Sequence, residues 1–122
     1  MTRSWELSLP NSPYYSANSR MHWRKKAEMV RVWRQASALL AMHQGVPHLE
    51  RAVVSLQLWP HDKRRRDPDN LVPGVLKPAV DGLVDAGVLE DDAPEFVRLV
   101  MPVIHEPKPS RIVTWLLTVS EA

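Results

Sequence analysis

The sequence predicts an α+β fold, with helices packed on a small mixed sheet, in one domain that spans residues 1–122. Short segments in which polar and apolar residues alternate are typical of half-buried strands. They are interleaved with two segments whose apolar residues recur every three or four positions, as in amphipathic helices. No repeat, linker or low-complexity tract divides the chain. The predicted order of elements is therefore β-α-β-α-β-β.

The first predicted strand is Trp5–Leu9, in which alternate residues are apolar. Pro10 ends it, and the Pro-, Ser- and Asn-rich segment that follows predicts a loop. This loop contains Tyr14 and Tyr15. We expect both tyrosines to be partly buried anchors, with stacking on exposed nucleobases as the alternative.

A helix is predicted from Ser19 to His43, and its charged face includes Arg24 and Arg31. That face is either an ordinary solvated surface or a contributor to binding of the DNA backbone. Both tryptophans of the helix are expected in the core because they share the apolar face. The residues of that face are Trp23, Ala27, Val30, Trp33, Ala36 and Leu40.

The second half of the chain contains the remaining predicted elements. A strand is predicted over Arg51–Trp59, where Val54, Leu56 and Leu58 share one face. A second helix is predicted from Lys77 to Ala86, with Gly87 as its C-cap. Two further β segments, Phe96–Ile104 and Arg111–Val119, flank a Pro-rich turn and are expected to form an antiparallel hairpin.

Two carboxylates after the second strand point to metal chemistry. Asp67 and Asp69 are two positions apart, and in extended backbone such side chains point to the same side. Pro68 favours the extended conformation at Asp67. Two carboxylates that face one spot can share a hard cation. The simpler interpretation is that Asp69 or Asn70 caps the following helix.

A third carboxylate can come from the pair Asp91 and Asp92. A chain reversal at Gly87 would return this pair towards the sheet and towards Asp67 and Asp69. Three carboxylates without a cation would repel one another and raise each other's pKa values. A divalent metal ion would remove that penalty.

Charge is divided unevenly along the chain. Residues 1–66 contain twelve Lys or Arg against four Asp or Glu, a net charge of +8, whereas residues 67–122 contain four against ten, a net charge of −6. The sharper interpretation is a phosphate-binding surface beside an acidic catalytic patch. The ordinary interpretation is that oppositely charged surfaces pack together or lie apart by chance. The basic residues immediately before Asp67 are Lys63, Arg64, Arg65 and Arg66.

These residues resemble the core motif of the RusA family of Holliday junction resolvases. The matching residues, in order, are Arg64 to Arg66, Asp67, Asp69, Asn70, Lys77, Asp81, Leu83, Gly87, Asp91 and Asp92. The resemblance implies that Asp67, Asp69 and Asp92 bind metal, with Asp91 as the alternative to Asp92, and that Lys77 is catalytic. The interval from Asn70 to Lys77 is about one helical turn longer than in the family. We expect a loop or kink to absorb the extra residues, so that the helix begins near Lys77.

The resemblance implies a Mg²⁺-dependent endonuclease, with Mn²⁺ as the other candidate ion, that resolves four-way DNA junctions in recombination and repair. Paired incision of a nearly two-fold symmetric junction predicts a homodimer. Two alternatives remain, a non-catalytic nucleic-acid-binding protein and a metal-dependent nuclease of other branched or single-stranded DNA. The side chains expected to contact DNA are those of Arg24, Arg31, Lys63, Arg64, Arg65 and Arg66.

Composition narrows the remaining possibilities. The chain contains no cysteine, which excludes disulfides and thiolate metal ligands. Its five histidines show no paired metal-ligand spacing. We predict a cytoplasmic protein with no membrane partner, because the sequence contains neither an apolar run of signal-peptide length nor a membrane-spanning stretch of about 18 apolar residues.

Overall fold

A computed structural model of the chain confirms the α+β class and describes residues 2–16, 20–111 and 114–122. A 3₁₀ turn, Pro68–Asn70, and a π-helical segment, Val72–Leu76, precede the second α-helix. None of the helices within the described ranges is long and apolar enough to cross a membrane. The main elements are β1 (Ser4–Leu9), α1 (Trp23–His43), β2 (Ala52–Leu58), α2 (Lys77–Asp85), β3 (Val97–Leu99), β4 (Val103–Ile104) and β5 (Trp115–Glu121).

The strands form one mixed sheet in the order β1-β5-β2, with β3 and β4 following one another along the outer side of β2. β5 is antiparallel to both of its neighbours, whereas β3 and β4 are parallel to β2. Trp115, the first residue of β5, lies opposite Leu9 on one side and Leu58 on the other. The end of β1, the end of β2 and the start of β5 therefore meet at one end of the sheet.

The predicted hairpin between the last two β segments is wrong. β4 pairs with β2, and β2 separates it from β5. Prolines lack the amide donor that an inner strand needs, so the segment containing Pro102, Pro107 and Pro109 suits a short, interrupted edge. β5 has no proline and takes the inner position. Ile112 and Val113, at the start of the predicted last strand, lie outside the described residues.

The core lies between one face of this sheet and the two helices. Ala52, Val54, Leu56 and Leu58 are all buried, as the alternation in β2 predicts, while the residues between them are half-buried. Leu7, Leu117 and residues of both helices belong to the same apolar cluster. Burial of one sheet face thus positions β2, which leads directly to the predicted site.

Helix α1 buries only part of the predicted apolar face. Trp33 is buried as predicted, and with Ser37 and Ala41 it forms a buried face that runs from the middle of the helix towards its end. Trp23 is 66% exposed, so its predicted place in the core is wrong. It stacks instead on the neighbouring His22 ring at 5.7 Å, beyond the part of the helix that packs on the core.

The start of α1 also differs from the prediction. His22 is the N-cap, and its Nδ1 accepts a hydrogen bond of 3.2 Å from the backbone N–H of Arg24. The predicted first residue, Ser19, lies outside the described residues.

The two helices approach closely because α2 has a glycine at the contact. A Cβ atom at Gly82 would overlap the Arg34 carbonyl oxygen and come within 2.9 Å of the Ser37 Cβ. Buried Ser37 donates a hydrogen bond of 2.7 Å from its Oγ to the Ala79 carbonyl. The Arg34 guanidinium binds both carboxylate oxygens of Asp85 at 2.6 and 2.8 Å, which lowers the pKa of Asp85. These contacts fix α2 relative to α1.

We expect Gly82→Ala to lower the free energy of unfolding by about 1–3 kcal/mol, because the added methyl group has no space between the helices. Chemical denaturation followed by circular dichroism measures this loss. Asp85→Ala is the matched control in the same helix and should cost only about 0.2–1 kcal/mol, since it removes a partly exposed ion pair. A loss for Gly82→Ala no larger than that of the control would contradict the close helix contact.

Candidate functional site

Asp67 and Asp69 lie in the turn that connects β2 to α2. Asp67 has extended backbone, with φ −99° and ψ 129°, as predicted. Asp69, however, is in the 3₁₀ turn that follows, so the extended segment expected to point both side chains to one side is not formed. Both side chains are exposed, and Asp67 makes no side-chain cap hydrogen bond. The Asp69 carboxylate has no hydrogen bond or ion pair with any other residue that the structure describes. Leu71 and Leu76 are the N-caps of the π-helical segment and of α2, and neither segment has a side-chain cap, so the simpler interpretation that Asp69 or Asn70 caps the following helix is wrong.

The residues between Asn70 and Lys77 form a π-helix rather than the predicted loop or kink. The Lys77 N–H donates to the Val72 carbonyl, five residues back. Pro73 and Pro78 each lack an amide donor, so a complete α-helical ladder cannot cross this segment. The wider π turn closes the segment with the donors that remain, and such insertions are frequent at functional sites. The α-helix then begins at Lys77, as predicted.

Lys77 and Asp92 form an ion pair with 3.1 Å between Nζ and Oδ2. The hydrogen bond from the Lys77 ammonium holds the pKa of Asp92 below its ordinary value, and a hydrogen bond with Asp91 lowers it further. The Oδ1 of Asp91 accepts a 2.7 Å hydrogen bond from the Asp92 backbone N–H. Of the two acids, Asp92 therefore faces Lys77, while Asp91 stabilises the turn.

Asp81 lies near Lys77 and Asp92, although no role was predicted for it. It is half-buried, and burial raises its pKa. Nearby Arg34 and Lys77 oppose this rise, and Asp92 adds to it. The signal in the sequence was its position four residues after Lys77, which places both side chains on one helix face.

The arginines before Asp67 are not equivalent. Asp62 accepts hydrogen bonds from the backbone N–H of Arg64 at 3.0 Å and from the Arg66 guanidinium at 2.9 Å, and these contacts lower its pKa to about 2. The side chain of Arg66 is only 18% exposed. Arg65 is 91% exposed, and its Nε is 3.9 Å from Asp67. Arg65 is thus the arginine most available to a phosphate, and Arg66 mainly holds the turn.

A stack of rings holds the chain beside this turn. The Trp59 ring is parallel to the His105 ring at 4.4 Å, and the Arg111 guanidinium lies 3.6 Å from the centre of the Trp59 ring. His105 also contacts Gln57 in β2 through a 2.8 Å hydrogen bond. The Pro-rich segment after β4 is thereby fixed against the end of β2. No local pattern in the sequence indicated this arrangement.

The structure brings the predicted residues together in two groups. Lys77 joins Asp92, and Asp67 joins Arg64, Arg65 and Arg66 at one side of a cavity of about 580 Å³. Asp69 does not line that cavity. The remaining predicted DNA-binding residues, Lys63, Arg24 and Arg31, are all exposed, the last two on α1.

The carboxylate oxygens of Asp67 and Asp69 are the kind of ligand that a hard cation prefers. Within the described ranges, no three His, Asp or Glu side chains form a group that could hold a metal ion. Mg²⁺, however, is usually held by one or two carboxylates together with water and substrate phosphates, rather than by a cage of protein ligands. The exposed carboxylates of Asp67 and Asp69 are compatible with such a site.

No protein-family model matches the chain, and no curated protein matches it.

Substitution of single arginines should separate DNA contact from structure. We expect Arg65→Ala to leave thermal stability unchanged and to reduce the slope of log K against log salt for duplex DNA by about 0.9, the effect of one lost phosphate contact. Arg66→Ala should instead lower thermal stability, because it removes hydrogen bonds to Asp62 and to the Arg64 carbonyl. Salt titrations of DNA binding and thermal unfolding measure both effects. The reverse pattern would contradict this division of roles.

Proposed function

We propose that this chain is a Mg²⁺-dependent, structure-selective DNA endonuclease that resembles the RusA resolvases and cuts four-way junctions. The observation that carries the proposal is that Asp67 and Asp69 are exposed and cap no helix, in a turn that also presents Arg65. Exposed carboxylates that cap no helix, next to an exposed arginine, suit a site that binds a metal ion and an anionic substrate.

The acidic residues and Arg65 have separate roles in the proposed reaction. Asp67 and Asp69 would hold the metal ion. Asp92, the third ligand that the resemblance implies, is paired with Lys77 and would have to leave that ion pair to reach the same metal ion. When bound there, Mg²⁺ would supply Lewis-acid chemistry, polarisation of the scissile phosphate and a lower pKa of a water molecule. Arg65 attracts the phosphate backbone to the site.

Lys77 would oppose the negative charge that develops on the phosphate oxygens during cleavage. Its contact with Asp92 holds the ammonium in place while no substrate is bound. Asp81, on the same helix face, adds a negative charge near Lys77 and Asp92.

Productive resolution of a junction requires two matched cuts, and one chain supplies one site. The proposal therefore includes a homodimer with its two-fold axis on that of the junction. Resolution of junctions would place the protein in DNA recombination and repair.

A nicking assay tests the proposal against its alternatives. Synthetic four-way junctions, flaps and linear duplexes are incubated with the protein, with and without Mg²⁺. Cleavage of junctions only when Mg²⁺ is present supports the proposal. Equal or better cleavage of flaps or single strands would favour a nuclease of other substrates, and binding without cleavage in any metal would favour a non-catalytic DNA-binding protein.

Asp69→Asn should retain junction binding and reduce cleavage in Mg²⁺ by about a hundredfold or more, because the lost carboxylate charge no longer helps to stabilise the metal ion and the transition state. Gel-shift and nicking assays on one protein preparation measure the two properties. Asp85→Asn, which removes an exposed acid on α2, is the control and should cleave normally. Wild-type cleavage by Asp69→Asn would show that the metal site is misassigned.

Lys77→Ala should reduce cleavage by about a hundredfold, the effect of losing one electrostatic contact in the transition state, with little change in junction affinity. Single-turnover cleavage at saturating protein isolates this effect from binding. Lys77→Arg keeps the charge and should recover part of the rate. If Lys77→Ala cuts almost normally, the π-helical insertion has moved the lysine away from the phosphate, and Arg65 becomes the better candidate.

A further inference from the structure

The cavity beside Asp67 lies where three segments meet. It has a volume of about 580 Å³ and is bounded by the end of β2, the start of β5 and the loop after β1. Small-molecule sites typically have volumes of roughly 300–1,000 Å³. The cavity is therefore large enough for one nucleotide.

Part of the lining of the cavity is apolar and aromatic. Leu58, Leu71 and Trp115 line it and are almost completely buried, whereas Tyr14 is half-buried and offers the accessible aromatic surface. The Tyr14 ring packs edge-on against Trp115, with 5.3 Å between centroids and an interplanar angle of 80°. This contact fixes the orientation of the tyrosine ring.

The loop that forms one wall is anchored at several points. The Trp33 indole Nε1–H donates to the Pro13 carbonyl at 3.0 Å, and the Trp115 Nε1–H donates to Asn11 Oδ1 at 3.3 Å. The backbone at Gly74 approaches the Tyr15 carbonyl so closely that a Cβ atom would overlap it. The wall is thus formed before any ligand binds, which lowers the entropic cost of binding.

The rest of the lining is polar and charged. Arg64 and Arg65 line the cavity together with Asp67, and Asn70 and Thr114 add uncharged polar groups. A guanidinium group suits a phosphate, and the uncharged groups suit the edges of a base or a sugar. An aromatic surface and arginines in one cavity match the base and the phosphate of a nucleotide.

The geometry points to a binding site for one unpaired nucleotide of the DNA substrate, with its base against Tyr14 and its phosphate at Arg65, next to the proposed metal ligand Asp67. This inference rests on the proposed function and deepens it. Unpaired or unstacked nucleotides occur at the centre of branched DNA and not within a regular duplex. Capture of one such nucleotide selects branched DNA and places the adjacent phosphate beside the carboxylates.

Nuclear magnetic resonance titrations of the full chain with thymidine 5′-monophosphate, thymidine and inorganic phosphate test the site directly. We expect the indole signal of Trp115 to shift with the nucleotide at millimolar concentration, while that of exposed Trp23 does not. Thymidine should bind more weakly, and phosphate should leave the Trp115 signal unchanged. No shift of Trp115 up to about 10 mM nucleotide, a range that covers weak binding, would overturn the inference.

Paired variants distinguish the contribution of the aromatic side chain from that of the arginine. Tyr14→Leu should weaken binding of nucleotide and nucleoside by about tenfold, as expected for loss of one stacking contact. Tyr15→Leu is the matched control, because Tyr15 contacts Lys26 and does not line the cavity, and it should bind normally. Arg65→Ala should weaken binding of the nucleotide and leave binding of the nucleoside unchanged. If Tyr14→Leu fails to fold, the Arg65→Ala comparison decides, and equal losses for nucleotide and nucleoside would overturn the inference.

A junction with 2-aminopurine at the branch point connects the cavity to the substrate. Its fluorescence in EDTA should change when wild type or Tyr15→Leu binds, and should change less with Tyr14→Leu at equal occupancy. Cleavage of junctions without any Trp115 response to nucleotide would overturn this inference and leave the nuclease assignment standing. A Trp115 response in a protein that cuts no DNA would support the nucleotide site and overturn the nuclease assignment.

Discussion

The packing of Trp115 is the constraint on which the rest of the structure depends. Its backbone joins the ends of β1 and β2, opposite Leu9 and Leu58. Its ring contacts Trp33 of α1 at 5.1 Å and Tyr14 of the loop at 5.3 Å. Sheet, helix and loop are thereby fixed around one buried side chain. The cavity and the turn that presents Asp67 both lie next to this point, so the proposed site is built on the most constrained part of the fold.

A second constraint places Lys77. Helix α2 cannot slide along α1, because Gly82 lies against the Arg34 backbone and the Arg34 side chain holds Asp85. The π-helical segment leads into the helix that these contacts hold in place. Lys77 and Asp81, four residues apart, lie on the face that meets Asp92.

The uneven charge of the chain has two explanations, and the structure contains examples of both. Ion pairs join the basic half to the acidic half, as in Arg3 with Glu121 at 2.9 Å and Arg34 with Asp85 at 2.6 Å. These pairs correspond to the ordinary interpretation of oppositely charged surfaces packed together. Arg65 and Asp69 are different. The Arg65 side chain is almost fully exposed, and the Asp69 carboxylate has no hydrogen bond or ion pair among the described residues. Those groups remain available to a phosphate and a cation.

The sequence by itself determined the features that depend on neighbouring residues. Alternation in β2, the positive φ of Gly87 after α2 and the extended backbone at Asp67 follow from local sterics and side-chain period. The exposure of Trp23, the pairing of β4 with β2 and the choice of Asp92 over Asp91 as partner of Lys77 were decided only by the tertiary structure. Each depends on which distant segment lies alongside, and a local pattern carries no information about a neighbour that arrives from elsewhere in the chain.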